Sequence, residues 1–231
     1  MQKILWAGIL ATALAGGAVS LVAEEGANPE INKKFDHPDV ADFAVKWECD
    51  NREIFSQREA ILAACGLKAG MDVADIGAGT GLFTRLMAGK VTPGGNVFAV
   101  DISKAFIAHI LETCSAAKIS NVIGVVCRQD DSRLKPGSVD FVFICDTYHH
   151  FEHPRATMRS VVNAMRPGAR LVLVDFKRGQ DASDFIKGHV RADKDVFQKE
   201  IESDGLRFVE DVPLLKENYF IQFIKPAAPA K

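Results

Sequence analysis

Val73-Ala74-Asp75-Ile76-Gly77-Ala78-Gly79-Thr80-Gly81 is the stretch on which the reading of this chain turns. The apolar run from Met71 to Ile76 predicts a buried strand, and glycines at alternate positions follow it directly. Leu82-Phe83-Thr84-Arg85-Leu86-Met87 then resumes at helical spacing, so the glycines fall on a strand-to-helix turn. Such a turn needs positive φ and a backbone that a ligand can approach without a Cβ in the way, and glycine supplies both. The helix that follows offers unpaired N–H groups and the positive end of its dipole to an electron-rich group. These residues predict a nucleotide-type cofactor site.

The spacing departs from the dinucleotide pattern G-x-G-x-x-G, whose third glycine allows close helix–strand packing. Leu82 stands at that third position, and the last glycine comes one residue early, at Gly81. Asp75, just before the loop, would repel a pyrophosphate but suits a ligand carrying an amino group or a sulfonium. The stretch D-x-G-x-G-x-G, with a strand before it and a helix after, resembles motif I of the class I S-adenosylmethionine-dependent methyltransferases. The likeness extends over roughly Asp50 to Ile224. It implies an α/β fold: a doubly wound, seven-stranded, mainly parallel sheet with an antiparallel end. It also implies S-adenosyl-L-methionine as cofactor and a small molecule as methyl acceptor, in the manner of the compact single-domain members.

The rest of the chain supplies the other elements in order. Asn96 to Val100 predicts a second strand ending at Asp101, 20 residues beyond Gly81 (101 − 81). At that interval a strand-end carboxylate accepts hydrogen bonds from ribose hydroxyls. Ser103 is placed to cap a helix with Phe106, Ile107, Ile110, Leu111 and Cys114 at helical spacing. Further strands are predicted over Asn121–Cys127, Val139–Cys145 and Leu171–Phe176, with a helix over Ala156–Arg166 stopped by Pro167-Gly168. Asp193 caps a last helix that Gly205 ends. Arg207–Val212 and Tyr219–Ile224 then read as two strands whose link is too short for a parallel crossover. The resemblance implies that Asp75 and the loop residues Gly77, Ala78, Gly79 and Gly81 hold the amino-acid end of the cofactor. It places Asp101 with Ile102 at the ribose, Asp130 (or its neighbour Asp131) at the adenine amino group, and Asp146 in the same binding set.

Asp146-Thr147-Tyr148-His149-His150-Phe151-Glu152-His153-Pro154 follows the fourth strand, at the crevice where substrate and cofactor should meet. Three readings stand open here. Tyr148 with His149 or His150 orients or deprotonates a substrate heteroatom, as groups titrating near neutrality do. Alternatively the histidines are hydrogen-bonded scaffold, or His149, His150 and His153 with Asp146 bind a metal. Tyr148, His149 and His150 are taken as the catalytic candidates, and no metal ligand is assigned. Trp47, then Arg52 and Arg58 in a helix predicted over Asp50–Cys65, and His189 and Arg191 later, are candidates to cover the site or to lie on the surface. The cysteines (Cys49, Cys65, Cys114, Cys127, Cys145) are odd in number and lack metal-ligand spacing, so they read as small buried hydrophobes, Cys145 alone lying near the site.

A net charge of −2 over 231 residues leaves no basic footprint for a nucleic acid, so no such partner is expected. Residues 1–23 carry one early lysine, an apolar run and small residues before an acidic stretch, the build of an export signal or, if retained, a membrane anchor. A lead-in segment (24–49), the domain (50–225) and a disordered tail (226–231) complete the division. Two other functional classes remain open at this stage: a nicotinamide-dependent oxidoreductase, disfavoured by Leu82 and Asp75, and an exported binding module of the same fold without turnover.

Overall fold

Side chains along a strand point alternately to the two faces of a sheet, and the central strand of this protein shows the consequence. In β4 (Val139–Cys145), Val142 and Ile144 face one helical layer and Phe141 and Phe143 the other, all four fully buried. The computed structural model describes residues 26–227. The leader-like segment and most of the tail expected from the sequence lie outside the described residues.

Around β4 lie β1 (Val73–Ile76), β2 (Val97–Asp101), β3 (Val122–Val126), β5 (Met165–Phe176), β6 (Arg207–Asp211) and β7 (Asn218–Ile224). They form one seven-stranded sheet in the order β3-β2-β1-β4-β5-β7-β6. The pairings β2–β3, β1–β2, β1–β4 and β4–β5 are parallel, whereas β7 runs antiparallel to both β5 and β6. This is the doubly wound, mainly parallel sheet with an antiparallel end that the sequence predicts. The face of Phe141 and Phe143 is covered by α3 (Arg58–Cys65) and α4 (Leu82–Val91) through Ile61, Leu62, Met87 and Val91. On the same side, α5 (Lys104–Ala116) packs Ile107, Ile110 and Cys114 on Ala99. The opposite face is covered by α6 (Pro154–Ala164) and α8 (Lys194–Ser203), through Met158, Val161, Phe197 and Ile201.

Several local expectations are corrected. The helix predicted over Asp50–Cys65 is two, α2 (Glu53–Ser56) and α3, broken at Gln57 and ended at Gly66 in the left-handed region. The polar lead-in contains a helix of its own, α1 (Val40–Trp47), whose cap is the Asp39 side chain accepting from Asp42 N–H at 3.1 Å. No helix joins β3 to β4, so the regular alternation lapses there. Strand β5 starts at Met165 rather than Leu171, because Val139 pairs with Met165 ahead of a register shift. Ser103 and Asp193 occupy N-cap positions, but neither side chain makes a capping hydrogen bond. Leu111 is exposed, and the connecting stretch before α8 forms a short helix, α7 (Asp184–His189). All five cysteines are free, with Cys65 and Cys114 buried as expected and Cys127 and Cys145 partly so. Among the described residues no helix is long and apolar enough to cross a membrane.

The central strand makes a direct prediction about stability. Phe143 is fully buried between β4 and α4, its ring 4.7 Å from that of Phe83. Phe143→Ala is expected to lower unfolding free energy by ~3–5 kcal/mol. Val45→Ala, on the exposed side of α1, should stay within ~0.5 kcal/mol of the parent. Urea unfolding of the two variants measures both, and equal stabilities would contradict this packing.

Candidate active site

Chain order along the sheet reverses between β1 and β4, one branch running to β3 and the other to β5. In open α/β sheets the crevice beyond the carboxyl ends of such a pair receives ligands. A cavity of about 340 Å³ lies there, within the ~300–1,000 Å³ common for small-molecule sites.

Its floor is the glycine loop. Gly77 has φ 73°, and a Cβ there would stand 2.1 Å from the Thr147 methyl group. Gly79 has φ 53°, and a Cβ there would press 2.9 Å from the Trp47 ring. Ala78 lines the same floor, and Ile102 lines the wall beside Asp101. Gly81 is different: it is the N-cap of α4, it does not line the cavity, and a Cβ on it would strike Ile110 at 2.6 Å. Its role is the packing of α4 against α5.

Two buried carboxylates flank this loop. Asp75, one residue before the end of β1, is almost without solvent contact, one oxygen accepting from Thr84 Oγ1 at 2.5 Å. Burial pushes its pKa up to about 7 against the opposing Thr84 hydrogen bond. Asp101, at the end of β2, accepts from Gly79 N–H at 2.9 Å and Ser103 N–H at 2.8 Å. Burial lifts it to about 6 even so. Asp146 also lines the cavity, but Arg52 pairs with one of its oxygens and Asn218 Nδ2 donates to the other at 2.6 Å. Burial raises its pKa too, with Arg52 acting against the rise. It braces the approach to α2 against β7, in a left-handed conformation (φ 47°) unusual for a residue with a side chain.

Several of the residues singled out in the sequence lie elsewhere. Asp130 is exposed and outside the cavity, which Arg128 and Gln129 line instead. The turn closed by Arg128 N–H on Asp131 O alternates the side chains, sending Gln129 inward to Glu152 and Asp130 out to water. Its neighbour Asp131 is occupied by Ser160 Oγ and Arg133 N–H. Tyr148 is buried in the core, its hydroxyl donating to Glu200 Oε2 at 3.0 Å and its ring against Phe151 and Phe197. The turn Tyr148–His150 is 3₁₀, so successive side chains diverge by about a third of a turn. Tyr148 thus goes to the core while His149 and His150 go to the cavity. His153, part of the metal alternative, is exposed at the start of α6, outside the cavity lining.

His149 is buried, with Nδ1 2.7 Å from Asp175 Oδ1, and the same carboxylate accepts from His149 N–H at 3.2 Å. His150 Nδ1 lies 2.8 Å from Asn32 Oδ1. His189, at the end of α7, completes this wall. Arg191 and Arg58 do not line the cavity: Arg191 pairs with Glu200, and Arg58 holds Phe55 O. Cys145 does line it, but burial raises its thiol well above the ordinary range, which leaves it an apolar contact.

The roof comes from the lead-in segment. Phe35 and Trp47 meet Phe106 of α5, with Trp47 and Phe106 centroids 5.6 Å apart, and Phe43 backs Trp47 at 4.5 Å. Glu48 pins this roof to Arg85 at 2.8 Å, and Asn32 pins it to His150 O and Glu152. Of the covering candidates read from this part of the sequence, Trp47 and Arg52 line the cavity and Arg58 does not. The aromatics at 35, 43 and 47 in an otherwise polar segment were the signal that a covering surface was being built.

Residues 74–171 match the family model described as "Methyltransferase domain". Over 120 residues the chain is 28% identical to the ubiquinone/menaquinone biosynthesis C-methyltransferase UbiE of Pseudomonas fluorescens, covering 51% of this chain and 46% of that protein. The chain thus spans about half the length of the curated relatives it matches. Among solved structures it is similar to a SAM-dependent methyltransferase from Aquifex aeolicus, with 23% identity, TM-score 0.69, and 86% and 98% of the two chains covered. It is also similar to phosphoethanolamine N-methyltransferase 2 of Haemonchus contortus in complex with S-adenosyl-L-methionine, with 19% identity, TM-score 0.68, and 85% and 59% covered. The [4+2]-cyclase SpnF shares the architecture at 12% identity and TM-score 0.70, with 88% and 97% covered. The fold is therefore that of the Rossmann-like methyltransferases.

Proposed function

We propose that this protein transfers the methyl group of S-adenosylmethionine to a nucleophilic atom of a small molecule. The observation that carries the reading is the pair of buried carboxylates, Asp75 and Asp101, on either side of a glycine loop that floors an aromatic-roofed cavity. Both hold their protons more tightly than usual because burial strips them of water. A cationic ligand would restore what burial removes, and S-adenosylmethionine carries an ammonium and a sulfonium.

The residues present fit that group. Gly77 and Gly79 let the backbone come up to it, and Asp75 answers its ammonium. Asp101 uses one acceptor site on each oxygen for Gly79 and Ser103, which leaves further lone pairs for ribose hydroxyls. Gln129 and Arg128 take the adenine end in place of Asp130. Phe35, Trp47 and Phe106 exclude water, which strengthens each of these interactions. When bound, the cofactor supplies an electrophilic methyl carbon on positively charged sulfur. On the acceptor side, Asp175 fixes the His149 ring, which turns its other nitrogen toward the acceptor. Alignment of the two reactants is the protein's main contribution.

Incubation with S-adenosylmethionine and a panel of thiols, phenols and amines should yield S-adenosylhomocysteine with at least one acceptor. Tight cofactor binding with no product from any class would instead favour a binding module.

Trp47 in the roof gives a fluorescence signal for binding. Asp75→Asn should weaken S-adenosylmethionine at least tenfold. The wild-type protein should bind more weakly as pH falls from about 8 to about 5.5, because Asp75 and Asp101 take up protons at about 7 and about 6 and no longer offset the ligand's charge. In Asp75→Asn the step near pH 7 should vanish. A pH-independent wild-type affinity would contradict this role for the carboxylates.

A further inference from the structure

Three histidines from separate parts of the chain meet on the acceptor side of the cavity. His149 and His150 leave the end of β4, and His189 closes α7. Their candidate ligand nitrogens all lie within 4.8 Å of one another. Ring centroids are 4.3 Å apart for His149–His150, 5.1 Å for His149–His189 and 4.9 Å for His150–His189. General acid–base chemistry uses one imidazole and leaves the other two unexplained.

The surroundings aim these rings. Asn32 Nδ2 donates to His150 O and Glu152 Oε1, which fixes Asn32 Oδ1 as the acceptor from His150 Nδ1–H. Asp175 occupies His149 Nδ1 in the same way. Nε2 is then the nitrogen that both rings offer. A carboxylate or amide oxygen behind the imidazole is how metal-ligating histidines are oriented. Phe185 stacks on His189 at 5.0 Å and 17°.

We propose that His149, His150 and His189 form a binding site for a divalent transition-metal ion, Zn²⁺ in the first instance, opening onto the methyl-donor crevice. Three imidazoles with a fourth position free are the donor set of catalytic zinc. The absence of a carboxylate among the three ligands disfavours Mg²⁺ and Ca²⁺. Nitrogens at ~2.1 Å from a tetrahedral ion stand about 3.4 Å apart, so the cluster closes by roughly an ångström on binding. His189 is the member free to move, being half-buried on a short helix. His189 thus takes the place of Asp146 and His153 in the metal alternative read from the sequence.

The site stands on the side chains alone, whereas its use rests on the methyl-transfer reading. The free position takes an ionisable O–H or S–H group of the acceptor, which releases its proton to water on coordination. Its lone pair then forms the bond to the methyl carbon as the carbon–sulfur bond of the sulfonium breaks, leaving a neutral thioether.

Titration of the full chain with ZnCl₂ by calorimetry, and with CoCl₂ by visible absorption, tests the site. One ion per chain is expected, with the d–d bands of four-coordinate Co²⁺ and no thiolate charge-transfer band. His189→Ala and His150→Gln, each checked for folding by circular dichroism, should weaken Zn²⁺ at least tenfold. Asp175→Asn should weaken it ~10–100-fold. No binding, a thiolate band from the free cysteines, or Zn²⁺ affinity unchanged in both histidine variants would overturn the site. S-adenosylhomocysteine binding is measured in parallel. Its retention without metal binding removes only the metal site, and its loss with metal binding intact removes only the methyl-transfer role.

Discussion

The hydrogen bond from Gly79 N–H to Asp101 Oδ2 joins the loop after β1 to the end of β2, and the ligand crevice depends on it. It holds the loop backbone in a left-handed turn while keeping the Asp101 carboxylate dry. Asp75 and Thr84 make the matching link between β1 and α4. Both acids are costly to bury, and the fold retains them where chain order along the sheet reverses and a ligand can enter. A charged ligand is the partner such a site is built for.

The cover over this crevice has a different physical origin. It is held by polar ties from the lead-in segment to the body, Glu48–Arg85 and Asn32–His150, and by Arg52–Asp146 at the start of α2, around a small aromatic cluster. The ties are partly buried and specific, so the aromatic roof lies in register with the loop. The histidine wall is likewise fixed from behind, by Asp175 at His149 and Asn32 at His150.

The fold was legible because its signals are local and periodic. The apolar strand before Gly77, the helical spacing from Leu82 and the short link between β6 and β7 need no tertiary context to read. Asp75, Gly77, Ala78, Gly79, Asp101, Ile102, Asp146, His149 and His150 all line the cavity. Asp130 and Tyr148 were misplaced for one reason. Which way a side chain points after a strand ends is set by turn geometry, a tight turn at 128–131 and a 3₁₀ turn at 148–150. Neither turn leaves a pattern in the sequence. Asn32 was hidden because it reaches the site across a long sequence separation, meeting a residue 118 positions away, whereas His189, read as a candidate to cover the site or to lie on the surface, lines the cavity. The helix predicted as one over Asp50–Cys65 breaks at Gln57, where no glycine or proline marks the bend.

Calorimetric titration of the wild-type protein with S-adenosylhomocysteine and, separately, NADH tests the central claim most directly. Saturable one-to-one binding of the adenosyl thioether, with none of NADH, is the predicted result. Binding of NADH alone, or of neither ligand, would contradict the assignment of this cavity to an S-adenosyl cofactor.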